Sequence, residues 1–138
     1  MNLGTSKDKV RVLLDTNILI SALGFGGLPR KTFTLAVEKK IRAVTSPTLL
    51  AELKEVVSKK FPKLSPNLAA IEKIIKKSFI IVQPKTTINV LKDIDDNRVL
   101  EAALEAKVKF IVTGDKELLG LKEFKDIKIV SPTEFLKG

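Results

Sequence analysis

The run Val10–Ala22, VRVLLDTNILISA, sets one aspartate between two apolar segments. Val10–Leu14 reads as a strand buried on both faces, and Thr16–Leu23 as a short helix behind it. Asp15 stands where one gives way to the other. A carboxylate drawn into a core at such a junction costs free energy unless something compensates its charge. The chain must therefore fold so that this charge meets a partner.

The rest of the chain repeats the alternation of strand and helix. Gly24, Gly26, Gly27 and Pro29 break the first helix and read as a turn, followed by a helix over Pro29–Lys40 and a strand over Ile41–Thr45. Ser46-Pro47 pairs a capping hydroxyl with proline at the first helical position, opening a helix to about Lys59. Ser65-Pro66 gives the same signal for Asn67–Lys77, and Phe79–Val82 reads as a third strand. Pro84–Lys92 is a connector with some strand character. Asp95-Asp96-Asn97 is predicted to cap a helix through Lys107, with Val108–Val112 as the fourth strand. Thr113-Gly114-Asp115 ends that strand ahead of a helical turn over Lys116–Leu121. A fifth strand, Ile127–Val130, meets a capping box at Ser131–Glu134 that opens a terminal helix. This order predicts an α/β fold on a parallel sheet covered on both faces. With no repeat or linker, 1–138 reads as a single domain with a polar leader at Met1–Lys9. The leader lacks the apolar core of a signal peptide, and no apolar run is long enough to span a bilayer, so cytoplasmic residence away from membranes is expected.

Two absences narrow the chemistry. The 138 residues include no Cys and no His, which removes disulfides, thiolate chemistry, the usual general base and the usual nitrogen ligand. Hydrolysis must then rest on carboxylates, Lys, Ser or Thr, or on a metal held by oxygen, and oxygen-only sites suit Mg²⁺ or Mn²⁺. The net charge is +9, from 25 basic and 16 acidic side chains, and such a body attracts polyanions. A lysine-rich solvated surface is the plain alternative for that charge.

Four carboxylates can meet at one edge of the sheet. In parallel sheets, sites form beyond the carboxyl ends of the strands where strand order reverses. Asp15 follows strand one, Asp115 follows strand four, and Asp96 opens the helix leading into strand four. Glu52 lies about 9 Å along the Ser46-capped helix, at ~1.5 Å per residue. It falls about 100° from the centre of the apolar face formed by Leu49, Leu50, Leu53, Val56 and Val57, whereas Glu55 falls about 160° away. Side chains lean toward the helix N-terminus, so Glu52 borders a cleft and Glu55 faces solvent. Singly, Asp96 and Asn97 read equally well as caps, Asp115 as a turn residue and Glu52 as a solvated glutamate. Together, four like charges repel unless a cation joins them, and a divalent ion there is suited to phosphodiester hydrolysis.

The motifs LLDTNILISAL, SPTLLAEL and DIDDNRVLEAALEAKVKFIVTGDKELL resemble the PIN-domain ribonucleases, in particular toxin components of toxin–antitoxin pairs, from about Val10 to Leu136. The resemblance implies a three-layer α/β/α sandwich with a parallel sheet of four or five strands. It also implies Mg²⁺- or Mn²⁺-dependent cleavage of RNA, an antitoxin protein as partner, and pairing into homodimers. The first acidic position falls on Asp15, the second on Glu52 and the last on Asp115, all as both metal ligands and catalytic groups. Thr16 and Asn17 match the polar pair behind the first, and Thr113 the hydroxyl beside the last. The third position is ambiguous. Spacing lands on Asn97, a poorer ligand, so the role is assigned to Asp96, with Asp93 and Asp95 as near neighbours. Arg30, Lys31, Arg98 and Lys116 are the basic residues nearest these positions in sequence and are assigned to phosphate contact.

Two other readings compete. A phosphoacceptor receiver domain needs an acidic pair after strand one and an aspartate after strand three, where this chain has DTN and Gln83-Pro84. A non-catalytic RNA- or partner-binding module on the same fold needs no acidic set, yet all four acidic positions can be filled.

Overall fold

The computed structural model describes residues 9–138, so the leader lies outside the described residues except for Lys9. Strand β1 (Arg11–Leu14) occupies the centre of the sheet, and its side chains alternate between two cores. Val12 and Leu14 join one apolar cluster, and Leu13 joins the other.

The first core lies under α1 (Thr16–Gly24), α2 (Gly27–Val37), α3 (Pro47–Lys60), α4 (Leu68–Ser78) and α7 (Pro132–Lys137). Ile18, Leu53, Val57, Ile75 and Phe135 fill it. The second lies under α5 (Ile94–Ala106) and α6 (Lys116–Leu121), where Val99, Leu100, Ala103 and Leu118 pack against Leu13, Val44 and Ile111. The result is the three-layer α/β/α sandwich that the family resemblance implies.

The remaining strands are β2 (Arg42–Thr45), β3 (Ile80–Ile81), β4 (Phe110–Val112), β5 (Glu123–Phe124) and β6 (Ile127–Val130). Their order is β3-β2-β1-β4-β6-β5. The five expected strands are parallel, and β5 adds a sixth, antiparallel one at the edge. The chain walks outward from β1 to β3 and then returns to the other side of β1 with β4. The crevice between the ends of β1 and β4 is therefore the switch point of the sheet.

Several boundaries differ from the sequence expectation, each for a local reason. Helix α2 begins at Gly27, two residues before Pro29; proline is tolerated in a first turn because its missing N–H has no intrahelical partner there. Gly26 precedes it at φ 78, a conformation only glycine adopts cheaply. Ser65-Pro66 opens no helix. It sits inside a 3₁₀ turn over Pro62–Asn67 that leads into α4. Helix α5 is capped by Asp93, whose Oδ1 accepts the Asp95 N–H at 2.8 Å, so Asp95, Asp96 and Asn97 are first-turn residues rather than the cap. Strand β5 escapes sequence reading because its two-residue hairpin, Lys125-Asp126, has positive φ at both positions without the usual Asn or Gly.

The connector 83–92 contains no helix or strand, and α5 supplies partners for its backbone. Asn97, Glu101 and Glu105 recur every fourth residue along one face of α5. Glu105 Oε1 accepts the Lys85 N–H at 3.0 Å, and Glu101 Oε2 accepts that of Ile88 at 2.8 Å. Asn97 Oδ1 accepts from Val90 at 3.1 Å and Leu91 at 2.9 Å, while its Nδ2 donates to the Leu91 carbonyl at 2.8 Å. Glu117 Oε1 takes the Lys92 N–H at 3.0 Å. Asn97 is buried and its side-chain hydrogen bonds all serve this strap. Replacing Asn97 with Ala is expected to cost about 1–3 kcal/mol, since the part-buried N–H groups of Val90 and Leu91 lose their acceptor. Denaturant titration measures that loss, and amide exchange at Val90 and Leu91 should accelerate with it.

Candidate active site

Each acidic residue reaches the switch point by a different element. Asp15 ends β1 and is buried, 4% exposed. It stands at the N-cap of α1 without using its carboxylate to cap that helix. Thr113 Oγ1, at the end of β4, instead donates to Asp15 Oδ2 at 2.7 Å and accepts the Asp115 N–H at 3.0 Å. One buried hydroxyl thus ties the ends of the two central strands together. Asp115 caps α6, with Oδ1 accepting from Glu117 at 2.8 Å and Leu118 at 3.0 Å, so both bonds fall on a single oxygen.

Asp96, in the first turn of α5, is also buried, and its Oδ2 has no hydrogen-bond partner. Glu52 projects from α3, half-buried, whereas Glu55 is exposed and paired with Lys59 at 2.8 Å. Asp15, Glu52, Asp96 and Asp115 line one cleft of about 210 Å³ together with Thr16, Asn17, Asp93, Asp95, Val56 and Lys60. The Thr16 hydroxyl is buried there without a hydrogen bond.

This crowding moves the titration of three carboxyls upward. Burial pushes Asp96 up to about 7, with the charges of Asp115, Asp93, Asp15 and Glu117 adding to it. Burial likewise raises Glu52 to about 7, opposed by the neighbouring Thr16 hydroxyl and reinforced by Asp95 and Asp15. Asp15 is raised chiefly by its burial, against the Thr113 hydrogen bond and with repulsion from Asp115 and Asp93.

The donors fit a hard divalent cation, since every group is an oxygen and the buried Asp96 Oδ2 lacks a partner. Asp15, Asp96, Asp115 and Glu52 could hold it. Among the described residues no three acidic side chains are already drawn together closely enough to grip one ion. Like charges in a small cleft stand apart, and a cation would draw them in.

The other sequence candidates separate. Asp93 and Asp95 line the cleft, as do Thr16 and Asn17, but Asn97 is turned to the strap. Arg30 is not at the cleft: its Nε donates to the Ala22 carbonyl at 2.9 Å, and it lines a groove with Lys31 on the α2 side. Arg98 pairs with Glu101 at 2.7 Å beside the strap, and Lys116 is exposed at the start of α6. Sequence reading missed Lys60. The signal was present in the series Glu52, Val56, Lys60, spaced by four along α3.

The chain is thus an α/β/α sandwich with an acidic cleft at the switch point of its sheet. A PIN-domain family profile matches residues 11–117, so the chain belongs to the PIN-domain family. It is 36% identical over 144 residues to the uncharacterized protein MJ1680 of Methanocaldococcus jannaschii, covering 95% of this chain and 92% of that one. Among solved structures it is similar to VapBC2 from Rickettsia felis bound to a DNA fragment from their promoter, at TM-score 0.61 and 16% identity over 87% of this chain and 97% of that one. FitAcB from Neisseria gonorrhoeae gives TM-score 0.58 at 16% identity over 88% and 98%. PAE2754 from Pyrobaculum aerophilum gives 0.58 at 18% identity over 93% and 88%.

Raised carboxyl pKa values mean that the folded state holds more protons than the unfolded chain between the ordinary carboxylate range and about 7. Stability of the metal-free protein should therefore fall as pH rises through that window. The lowered values of Glu55 and Glu72 act oppositely but belong to ion pairs whose lysines stand in solvent, and such surface pairs contribute little. Thermal melts in EDTA are expected to give a higher Tm near pH 5 than near pH 8. Asp15→Asn, which keeps an acceptor for Thr113, should raise the Tm by about a few degrees at pH 8 and by less at lower pH. A lower Tm for this variant at pH 8 would count against the repulsive cluster.

Proposed function

We propose that this chain is a Mg²⁺- or Mn²⁺-dependent endoribonuclease of the toxin type, acting in the cytoplasm. The observation that carries the reading is the convergence of Asp15, Glu52, Asp96 and Asp115, from four separate elements, on one cleft of a basic protein. Membership of the PIN-domain family supports it. An antitoxin protein as partner is proposed from the family resemblance, and likeness in fold to VapBC2 and FitAcB accords with it. A homodimer is proposed from the family resemblance alone. Among the described residues no helix is long and apolar enough to cross a membrane.

Asp15, Asp96 and Asp115 would hold the cation, with Glu52 completing the set directly or through water. When bound, the ion supplies a Lewis acid that offsets charge on the phosphoryl group and acidifies water. Thr113 keeps Asp15 and Asp115 in register by bonding to both. Glu52, on the α3 wall, accepts a proton from the water that attacks phosphorus in line. The 3′-oxygen leaves as the P–O3′ bond breaks and takes a proton from solvent, giving 5′-phosphate and 3′-hydroxyl ends. Asp93 holds the first turn of α5 and so the position of Asp96.

The test incubates single-stranded and structured RNA with the protein and Mn²⁺ or Mg²⁺. Cleavage is expected in wild type, abolished by EDTA and reduced on the order of a hundredfold or more in Asp15→Asn, as when one member of a cooperative site is lost. Cleavage persisting in Asp15→Asn would place the chemistry elsewhere. Binding without cleavage by wild type would make the protein a binding module.

A further inference from the structure

The four central parallel strands begin alike in sequence. KVR at 9–11, KIR at 40–42, KVK at 107–109 and DIK at 126–128 each set an apolar residue between two charged ones, and the last residue is basic every time. Ile41, Val108 and Ile127 are buried, while Arg11, Arg42, Lys109 and Lys128 are exposed. Arg11 and Arg42 are cross-strand partners. The Lys109 backbone N–H donates to the Arg11 carbonyl at 2.9 Å, and that of Lys128 to the Lys109 carbonyl at 3.0 Å. At ~4.8 Å between strands, the four form a row about 14 Å long on the amino edge of the sheet. The acidic cleft lies at the opposite edge.

Three features of this row oppose stability. Like charges on neighbouring strands repel. The loops feeding the row hold Lys39, Lys107 and Lys125 at φ 59, 53 and 46, left-handed positions that glycine occupies at less cost. The charges also go unanswered. Among the described residues no carboxylate lies within ion-pair distance of the row, and Glu38, beside Lys39, pairs with Lys40 at 3.5 Å. Neutral partners hold the cations instead. Arg11 donates to the Ala106 carbonyl at 3.0 Å, and the ammonium groups of Lys109 and Lys125 lie 5.8 Å from the ring centroids of Phe110 and Phe124. Helix dipoles account for Lys39 and Lys107, which follow helix ends, but not for the cations of the strands. A positioned and uncompensated row of cations is what a polyanion requires.

We infer that the amino edge of the sheet binds the phosphate backbone of a nucleic-acid duplex. This surface is separate from the cleft and stands whether or not the cleft cuts RNA. A row of about 14 Å meets about four phosphates of one strand, at ~3.4 Å per phosphate along the duplex axis. None of the exposed large apolar side chains lies in these segments, so nothing there stacks on an unpaired base or enters a lipid layer. Contact is with backbone, which reads charge and shape rather than sequence.

The test follows fluorescence anisotropy of a labelled DNA duplex and of an RNA duplex of equal length, with the full-length protein in EDTA over a range of salt. Binding is expected, and the tighter of the two duplexes identifies the source. Lys107→Gly and Lys125→Gly each remove a charge and relieve a left-handed backbone. Each should weaken binding on the order of five- to tenfold at ~0.1 M salt and reduce the slope of log affinity against log salt by about one. The Tm should stay level or rise, because glycine suits both positions. Lys92→Gln removes the same charge beside the strap's contact with Glu117, at the opposite edge, and should alter neither affinity nor slope. Affinity that falls only together with Tm, an equal loss in Lys92→Gln, or no binding of either duplex by the wild type overturns the proposal. So does capture by phosphatidylglycerol vesicles of a protein that binds neither duplex, which makes the partner a membrane.

Discussion

The hydrogen bond from Thr113 to Asp15 is the contact on which the arrangement turns. It joins residues 98 apart in sequence, at the ends of the two central strands, and it sits at the one place where the sheet reverses its order. The apolar strands β1 and β4 pair because both are buried on two faces. Their pairing then carries a carboxylate from each strand end into the same crevice. What looks in sequence like an expensive aspartate between core segments is the consequence of that topology. The cost is real, because burial and repulsion raise three carboxyls together. It is the kind of local destabilisation that persists where the surrounding core is strong enough to hold it.

Much of this was legible in the sequence. Asp15 and Asp115 stood out because uninterrupted apolar strands end at or just before them, and in a parallel sheet such ends share an edge. Glu52 separated from Glu55 by helical angle alone, and the structure keeps that distinction as half-buried against exposed. The fold class followed from the alternation of strand and helix. The choice of Asp96 over Asn97 rested on ligand chemistry, and the geometry separates the two side chains, with Asp96 at the cleft and Asn97 bound to the strap.

What was not legible depended on contacts between segments without periodicity. Asn97 acts on Val90 and Leu91, in a connector whose backbone bonds go to side chains rather than to a ladder. No propensity encodes that. Strand β5 depends on Lys122, Lys125 and Asp126 at positive φ, where tertiary pairing overrides local preference. Arg30 is near the acidic motif in sequence, yet it bonds carbonyls at the end of α1, since a guanidinium there satisfies groups that the helix leaves open. Lys60 is the exception: it lines the cleft from the same face of α3 as Glu52 and Val56, and that spacing by four was legible.

The proposed metal dependence makes the raised carboxyls of Glu52 and Asp96 ligands for a cation. Its most direct measurement is the number of protons released when Mn²⁺ binds, obtained by calorimetric titration in buffers of different ionisation enthalpy. Near pH 7 the protonated fraction of Glu52 and Asp96 should be displaced, so binding is expected to release close to one proton in total, falling toward none above about pH 8.5. Mn²⁺ binding that releases no protons at pH 7, or no binding at either pH, would contradict the account.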